Sequence, residues 1–305
     1  MKIDALSAQD VADMLNVSKN TIYNLIKKGD LKSYNVGRKV RFTENEVKAF
    51  INRSHANLNA QQPASALPEL QTNNGFVICG QDIILDVLSN YMRSYGIPAM
   101  RVFIGSYDGL TLLYKNKVNV ASSHLWDSVT DEYNIPYIKR LLPGTSALVI
   151  HLTYRMQGLY VKKGNPKNIK SWKDFGRDDI TMINREYGAG SRVLLDENLK
   201  LLEISGSSIK GYATEGQTHL AVASSVSGGE ADVAVGIEKI ARQVDNIDFI
   251  PMKKERYDLV VKKEHIGSHG VSTMMNIINS TAFKQEFANI GGYDTSGMGK
   301  IIAEI

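Results

Sequence analysis

The run Tyr187-Gly188-Ala189-Gly190-Ser191-Arg192 sets two glycines, a hydroxyl and a guanidinium directly ahead of the apolar stretch Val193-Leu194-Leu195. Glycines let backbone amides approach a bound group, a helix start leaves its first N–H groups unpaired, and Ser191 and Arg192 add a hydroxyl and a permanent charge. The chemistry on offer is anion binding. A second turn of the same kind, Gly105-Ser106-Tyr107-Asp108, opens another helical stretch, and Ser122, Ser123 and His124 follow the strand-like residues 119–122. Two helix starts meeting across a cleft would suit a tetrahedral dianion. Taken alone, Gly188 and Gly190 fit an empty strand-to-helix turn equally well; the attached Ser191-Arg192 and the second turn favour binding.

Other residues near these turns keep two readings. Arg185 is either a ligand contact or an ion-pair partner for Glu186 or Asp127. His124 and His219 stand at helix starts, where a lone histidine is either a structural hydrogen bonder or a ligand. Tyr212 either closes over the site or packs in the core. The chain carries no nucleophile elbow, no HExxH, no paired-cysteine metal motif and no Walker-type loop, so a binding function is expected, with no catalytic residues, no cofactor and no metal held by side chains.

The N-terminal fifty residues offer a different chemistry. Ser7 stands as an N-cap ahead of Val11, Ala12, Met14 and Leu15, which share one apolar face. Asn16-Val17-Ser18 then forms a turn into a second helix, 19–28, which Gly29 stops. Its Ile22, Leu25 and Ile26 face inward, leaving Lys19, Asn20, Thr21, Tyr23, Asn24, Lys27 and Lys28 outward. Amides read adenine edges and lysines engage phosphate, so this face fits a major groove, with Ser18 at its head. Residues 34–42 alternate apolar and cationic side chains around Gly37, a hairpin or wing that presents Arg38, Lys39 and Arg41. The segments Leu6-Ser7-Ala8-Gln9-Asp10-Val11-Ala12, Val17-Ser18-Lys19-Asn20-Thr21-Ile22-Tyr23, Gly29-Asp30-Leu31 and Gly37-Arg38-Lys39-Val40-Arg41-Phe42 resemble the excisionase/MerR-type winged helix-turn-helix. That resemblance implies operator DNA as partner.

Charge distribution points the same way. Residues 1–56 hold 10 Lys/Arg against 6 Asp/Glu, and the remainder 26 against 26, so the formal excess of +4 sits in the N-terminal module. A basic head on a neutral body indicates local phosphate attraction. The single cysteine, Cys79, excludes an internal disulfide and sits in the apolar run 75–80 as a buried small residue. No apolar stretch approaches twenty residues and no signal segment opens the chain, so a cytoplasmic location without membrane contact is expected.

Residues 54–74, rich in Asn, Gln, Ala, Ser and Pro with the lone charge Glu69, read as a linker. The expected organisation is a winged helix-turn-helix over 1–53, the linker over 54–74 and a ligand-sensing domain over 75–305. Beyond Gly75, short apolar strands alternate with amphipathic helices: strands near 76–79, 101–104, 119–122, 180–183 and 231–235, each followed by a helix. This is an α/β pattern with largely parallel sheets. Two long strand-like crossings, 147–161 and 249–261, divide the region into an outer part (75–147 plus the C-terminus) and an inner part (about 162–250). Two lobes joined by two crossings describe a clamshell.

Six segments carry a second resemblance: Gly105-Ser106-Tyr107-Asp108-Gly109-Leu110, Ser123-His124-Leu125-Trp126-Asp127, Asp131-Glu132-Tyr133-Asn134-Ile135-Pro136, Gln157-Gly158-Leu159-Tyr160-Val161-Lys162-Lys163-Gly164-Asn165-Pro166, Asn184-Arg185-Glu186-Tyr187-Gly188-Ala189-Gly190-Ser191-Arg192 and Thr218-His219-Leu220-Ala221-Val222-Ala223. Together they resemble the periplasmic-binding-protein-like (type II) domain related to molybdate- and tungstate-binding proteins. The resemblance implies an oxyanion ligand, molybdate or tungstate, with Ser106, Tyr107, Asp108, Ser122, Ser123, His124, Arg185, Gly188, Gly190, Ser191, Arg192, Tyr212 and His219 around it. Asp108 departs from the pattern, which has a small residue there. The expected whole is a ligand-responsive transcriptional regulator acting as a homodimer. The alternatives are a sensor of a pterin-type or other small molecule, and an accessory factor or enzyme of molybdenum-cofactor assembly.

Overall fold

The computed structural model describes residues 5–14, 19, 22, 26, 31–36, 39–43, 46, 47 and 75–305. The chain divides into two compact units, Met1–Glu69 and Leu70–Ile305.

In the first unit, β1 (Ala5–Ser7) leads into α1 (Ala8–Met14), and β2 (Tyr34–Val36) and β3 (Lys39–Thr43) form an antiparallel hairpin that also pairs with β1. Ser7 caps α1 as expected: its Oγ accepts from the Asp10 amide at 3.2 Å while Asp10 Oδ2 accepts from the Ser7 amide at 2.8 Å. Ala8, Val11, Ala12, Ile22, Leu31, Phe42 and Val47 make the core, so Val11, Ala12 and Ile22 face inward as expected. Met14 does not: it is 52% exposed, because it ends the short α1, beyond the stretch that packs against the sheet. Lys19 and Lys39 are exposed and Arg41 half-buried on the hairpin. Leu15, Leu25, Ser18, Asn20, Thr21, Tyr23, Asn24, Lys27, Lys28, Arg38 and the linker lie outside the described residues.

The second unit begins with β4 (Phe76–Cys79), α2 (Ile83–Ser94), β5 (Ala99–Val102), α3 (Ser106–Tyr114) and β6 (Val120–Ser123). The order of the sheet places β4 between β5 and β6, all parallel. No helix follows β6 directly. A hairpin, β7 (Trp126–Asp127) with β8 (Glu132–Tyr133), intervenes before α4 (Ile135–Leu141). Then come the long crossing β9 (Ala147–Lys162), the short β10 (Asn184–Arg185), α5 (Gly190–Leu201), β11 (Glu215–Gly216), α6 (His219–Gly228), β12 (Val233–Ile237) and α7 (Glu238–Ala241). The second crossing is β13 (Ile247–Lys262), followed by α8 (His269–Asn279), α9 (Thr281–Ile290) and β14 (Ile301–Glu304).

The two crossings are present and run antiparallel over their whole length, with bulges between Pro251 and Lys253 and between Tyr257 and Asp258. The sheet is therefore mixed, ordered β12-β9-β13-β6-β4-β5 with β14 on β9, rather than largely parallel. The reason is topological: the chain crosses from one lobe to the other along β9 and returns along β13, so these strands must oppose each other. The strand expected at 180–183 shrinks to single bridges at Thr181 and Met182, with β10 formed just beyond. Each lobe has its own core. The outer one gathers Ile78, Leu85, Leu88, Val120, Ile150, Leu259, Met274 and Phe283, and the inner one gathers Leu159, Phe175, Met182, Leu195 and Val235 beside a smaller cluster around Tyr160 and Val226. Cys79 is 1% exposed, and burial pushes its thiol up to about 12, so it is an inert core residue.

Candidate functional site

The apolar runs of β4, β6 and their helices bring several helix starts to one place. Asp82 caps α2, its Oδ1 accepting from the Ile84 amide at 2.8 Å. Gly105 precedes α3 and Ala189 precedes α5, neither helix receiving a side-chain cap. His219 opens α6. At the starts of α2, α3 and α6 lies a cavity of about 10 Å3 lined by Gln81, Asp82, Ile104, Gly105, Ser106, Ser122, His124, Arg155, His219 and Tyr257. That volume suits about one water. Among the described residues, nothing accepts from the amides of Ser106, Asp108, Gly190, Ser191 or Arg192.

The floor of the cavity is a chain of buried ions. Arg155, in the middle of β9, pairs with Asp82 and with its cross-strand neighbour Glu255 on β13. Glu255 Oε2 in turn meets His124 Nδ1 at 2.8 Å. The guanidinium of Arg155 lies 4.1 Å above the Tyr257 ring, and Tyr257 donates to Ser122 Oγ at 2.7 Å. Tyr293 donates to Asp82 Oδ1 at 2.7 Å. Burial alone raises a carboxyl, but Arg155, together with hydrogen bonds, outweighs it and holds both Asp82 and Glu255 below the usual carboxylate range. Burial, reinforced by Arg185, Arg155 and His124, drives His219 well below the usual histidine value, so its ring is neutral.

The two lobes touch directly over this floor. The Tyr107 amide donates to Gly188 O at 3.1 Å. A Cβ on Gly105 would lie 2.9 Å from the Gly188 carbonyl, and one on Gly190 would lie 2.4 Å from His124 Nδ1. Only glycine allows these approaches. Gln81 of the outer lobe bridges to the inner one, accepting from Arg185 at 2.7 Å and donating to Glu186 at 2.9 Å. Ser128 and Tyr137 reach Glu197 on α5.

Of the expected ligand residues, Ser106, Ser122, His124 and His219 line the cavity. Ser123 and Ser191 are fully buried close by, each with a hydroxyl that has no partner among the described residues. Tyr107, Gly188 and Gly190 form the lobe contact, and Asp108 sits beside Gly188. Arg185 pairs with Glu186 at 2.8 Å, and Asp127 pairs with Arg140. Arg192 is held between the rings of Tyr187 (4.1 Å) and Tyr212 (4.4 Å) and paired with Asp196 and Glu215, so neither it nor Tyr212 is among the lining residues.

Sequence reasoning did not single out Gln81, Asp82, Arg155, Glu255 or Tyr257. The available signals were Gly80-Gln81-Asp82, a third strand-to-helix turn, and the charges of Arg155 and Glu255 set inside two long crossing strands. Among the described residues, no group of three or more His, Cys, Asp or Glu side chains is placed to hold a metal ion.

Residues 88–279 match the PBP superfamily domain. The chain belongs to that superfamily. Ahead of its PBP domain, residues 5–55 match a helix-turn-helix domain, the excisionase-like kind expected from the sequence. The Bacillus subtilis (strain 168) protein YvgK is 40% identical over 305 residues, 97% of each chain. A Clostridium pasteurianum protein from the ferredoxin 2Fe-2S gene 5' region is 53% identical over 113 residues, all of that protein and 37% of this chain. Among solved structures, a phosphate-bound ABC transporter substrate-binding protein from Clostridium perfringens shares the fold, with TM-score 0.54 and 15% identity over 72% of this chain and 98% of its own. A histidine kinase sensor domain with similarity to periplasmic binding proteins does so at TM-score 0.51 and 12% identity, over 72% and 96%. The PBP domain is thus a ligand-binding fold joined to a DNA-binding one, and no described helix is long and apolar enough to cross a membrane.

Proposed function

We propose that this protein is a cytoplasmic, homodimeric transcriptional regulator whose PBP domain senses a small oxyanion and whose winged helix-turn-helix binds operator DNA. The observation that carries the reading is the polar cavity at the starts of α2, α3 and α6, with the α3 start free of any side-chain cap, in a chain that also matches a helix-turn-helix domain. Molybdate and tungstate are the ligands the sequence resemblance implies. Lys27, Arg38, Lys39 and Arg41 hold phosphates, while Asn20, Thr21 and Asn24 touch bases, with Ser18, Lys19, Tyr23 and Lys28 on the same face. Both family matches are to binding modules, which favours a sensor over an enzyme of cofactor assembly.

The test is reciprocal. Duplexes selected from a random library by the full chain are titrated with and without molybdate, tungstate, phosphate and sulfate. A sensor shows at least one anion changing DNA affinity by about fivefold or more, with DNA changing that anion's affinity by the same factor. Equal DNA affinity under every anion removes the sensor reading. Arg41→Ala weakens all duplexes alike and lowers the salt slope by about one unit.

A further inference from the structure

One buried cation takes no part in the floor described above. Lys239, on α7 of the inner lobe, has an ammonium that is shut off from solvent and makes no hydrogen bond among the described residues. It lies 4.1 Å above the ring of Tyr293, in the outer lobe's segment between α9 and β14. The next two residues of α7, Ile240 and Ala241, pack on the inner-lobe cluster around Tyr160 and Val226, whereas Tyr293 meets Phe287 edge-on in the outer core. Lys239 therefore reaches from one lobe onto the other. A Cβ on Gly292, next to Tyr293, would lie 3.6 Å from Lys239 Cβ.

The carboxylates beside this contact are engaged elsewhere. Glu238 accepts from Arg242 at 2.7 Å, Asp294 accepts from Lys254 at 3.0 Å, and Asp82 holds Arg155 and the Tyr293 hydroxyl. An ammonium has three donors, and a ring face does not satisfy them as water does. Burial, reinforced by Arg155 and only partly offset by the charge of Asp82, holds Lys239 below the usual lysine range. The charge at position 239 is thus disfavoured while the lobes are together. When they part, α7 moves with the inner lobe and Tyr293 with the outer one, and Nζ returns to water.

We infer that Lys239 is a positioning residue for ligand binding: its unpaired charge on the Tyr293 ring biases the two lobes toward the open form, and so lowers the affinity of a cavity that it does not line. The inference goes beyond the sensor reading, since it needs only lobes that open and close. A ligand that binds the closed form must overcome the bias, and a side chain of similar length without the charge removes it.

The experiment is pulsed electron spin resonance on the full chain without added anion, with labels at Lys117→Cys of the outer lobe and Lys200→Cys of the inner one, and the thermal midpoint of each variant as a folding check. Both label positions are exposed, whereas Cys79 is 1% exposed and stays unlabelled. The expected result is a short and a long inter-lobe distance with Lys239 in place. In Lys239→Met and Lys239→Gln the closed-to-open ratio rises about fivefold or more, while Lys239→Arg, which keeps the charge, stays within about twofold of the native lysine. A ratio that neither neutral variant raises overturns the inference, and so does an arginine variant that behaves like the methionine one. A single distance in every variant overturns it as well, because there is then no equilibrium to bias. The distances need no ligand, so failure of molybdate, tungstate, phosphate and sulfate to bind would remove the sensor reading and leave this inference standing.

Discussion

Two buried arginines, 37 positions apart, do different work. Arg155 sits mid-strand on the hinge, faces the cavity and is clamped by two carboxylates that are themselves buried. Arg192, in the first turn of α5 beside the glycine-rich loop, is stacked between Tyr187 and Tyr212 and donates to Arg185 O at 2.9 Å. The first organises the floor of the cavity; the second braces the glycine-rich loop ahead of α5. A guanidinium next to a glycine-rich helix start is therefore not necessarily an anion's partner. Where the side chain goes is decided by neighbours such as Asp196, one helical turn on, and by rings from Tyr187 and Tyr212.

Removing the hinge arginine should have the largest effect. Arg155→Ala leaves Asp82 and Glu255 buried without a cation, and is expected to destabilise the PBP domain by about 3–5 kcal/mol, measured by urea unfolding. A loss no larger than that of Arg192→Ala would make the two arginines equivalent.

Acid should act on the same chain of ions. Asp82, Glu255 and His219 all have folded values below their unfolded ones, so their stability is complete above the unfolded values and is lost as pH falls through the folded ones. The midpoint of thermal unfolding should begin to fall below about pH 6.5, from His219, and fall more steeply below about pH 4, from the carboxylates. His219→Gln should remove the upper part of that decline. A profile flat from pH 7 to pH 3 would show that the floor does not titrate with folding.

The lobe contact offers an effect of intermediate size. Gly190→Ala drives a methyl into the His124 ring, so the lobe contact is expected to lose about 1–3 kcal/mol and, at the proposed site, anion affinity to fall about tenfold or more, with the apo fold retained. Unchanged affinity would show that the His124–Gly190 approach is not part of the bound state. Arg192→Ala should have the smallest effect on the ligand. It costs about 1–3 kcal/mol of stability through lost hydrogen bonds and ring contacts, but leaves intrinsic anion affinity within about threefold. A loss of anion binding comparable to that of Gly190→Ala would return Arg192 to the site.

The architecture was legible where its signal is local and long. The crossings at 147–161 and 249–261 coincide with β9 and β13 because sixteen-residue strands buried over much of their length leave a long apolar record. The Ser7 cap was legible because it involves two residues three apart. The β7–β8 hairpin was not, since two-residue strands carry no period. Nor was the pairing of Arg155 with Glu255 and Asp82: it joins positions 100 and 73 apart, and only the register of β9 against β13 makes it visible. Ser106, Ser191 and His219 were singled out because helix starts announce themselves. Gln81 and Asp82 announce themselves in the same way, but their turn has only Gly80 before it and no basic residue after.

The bond from the Tyr107 amide to Gly188 O has a kinetic consequence. If an oxyanion binds behind that contact as proposed, it exchanges only when the contact between the lobes parts. Residence time is then governed by how often the lobes part, and two anions of equal affinity leave at the same rate when that parting is the slow step. A sensor built as proposed would respond on the clock of its own hinge, and its memory of a past ligand would last as long as the hinge stays shut.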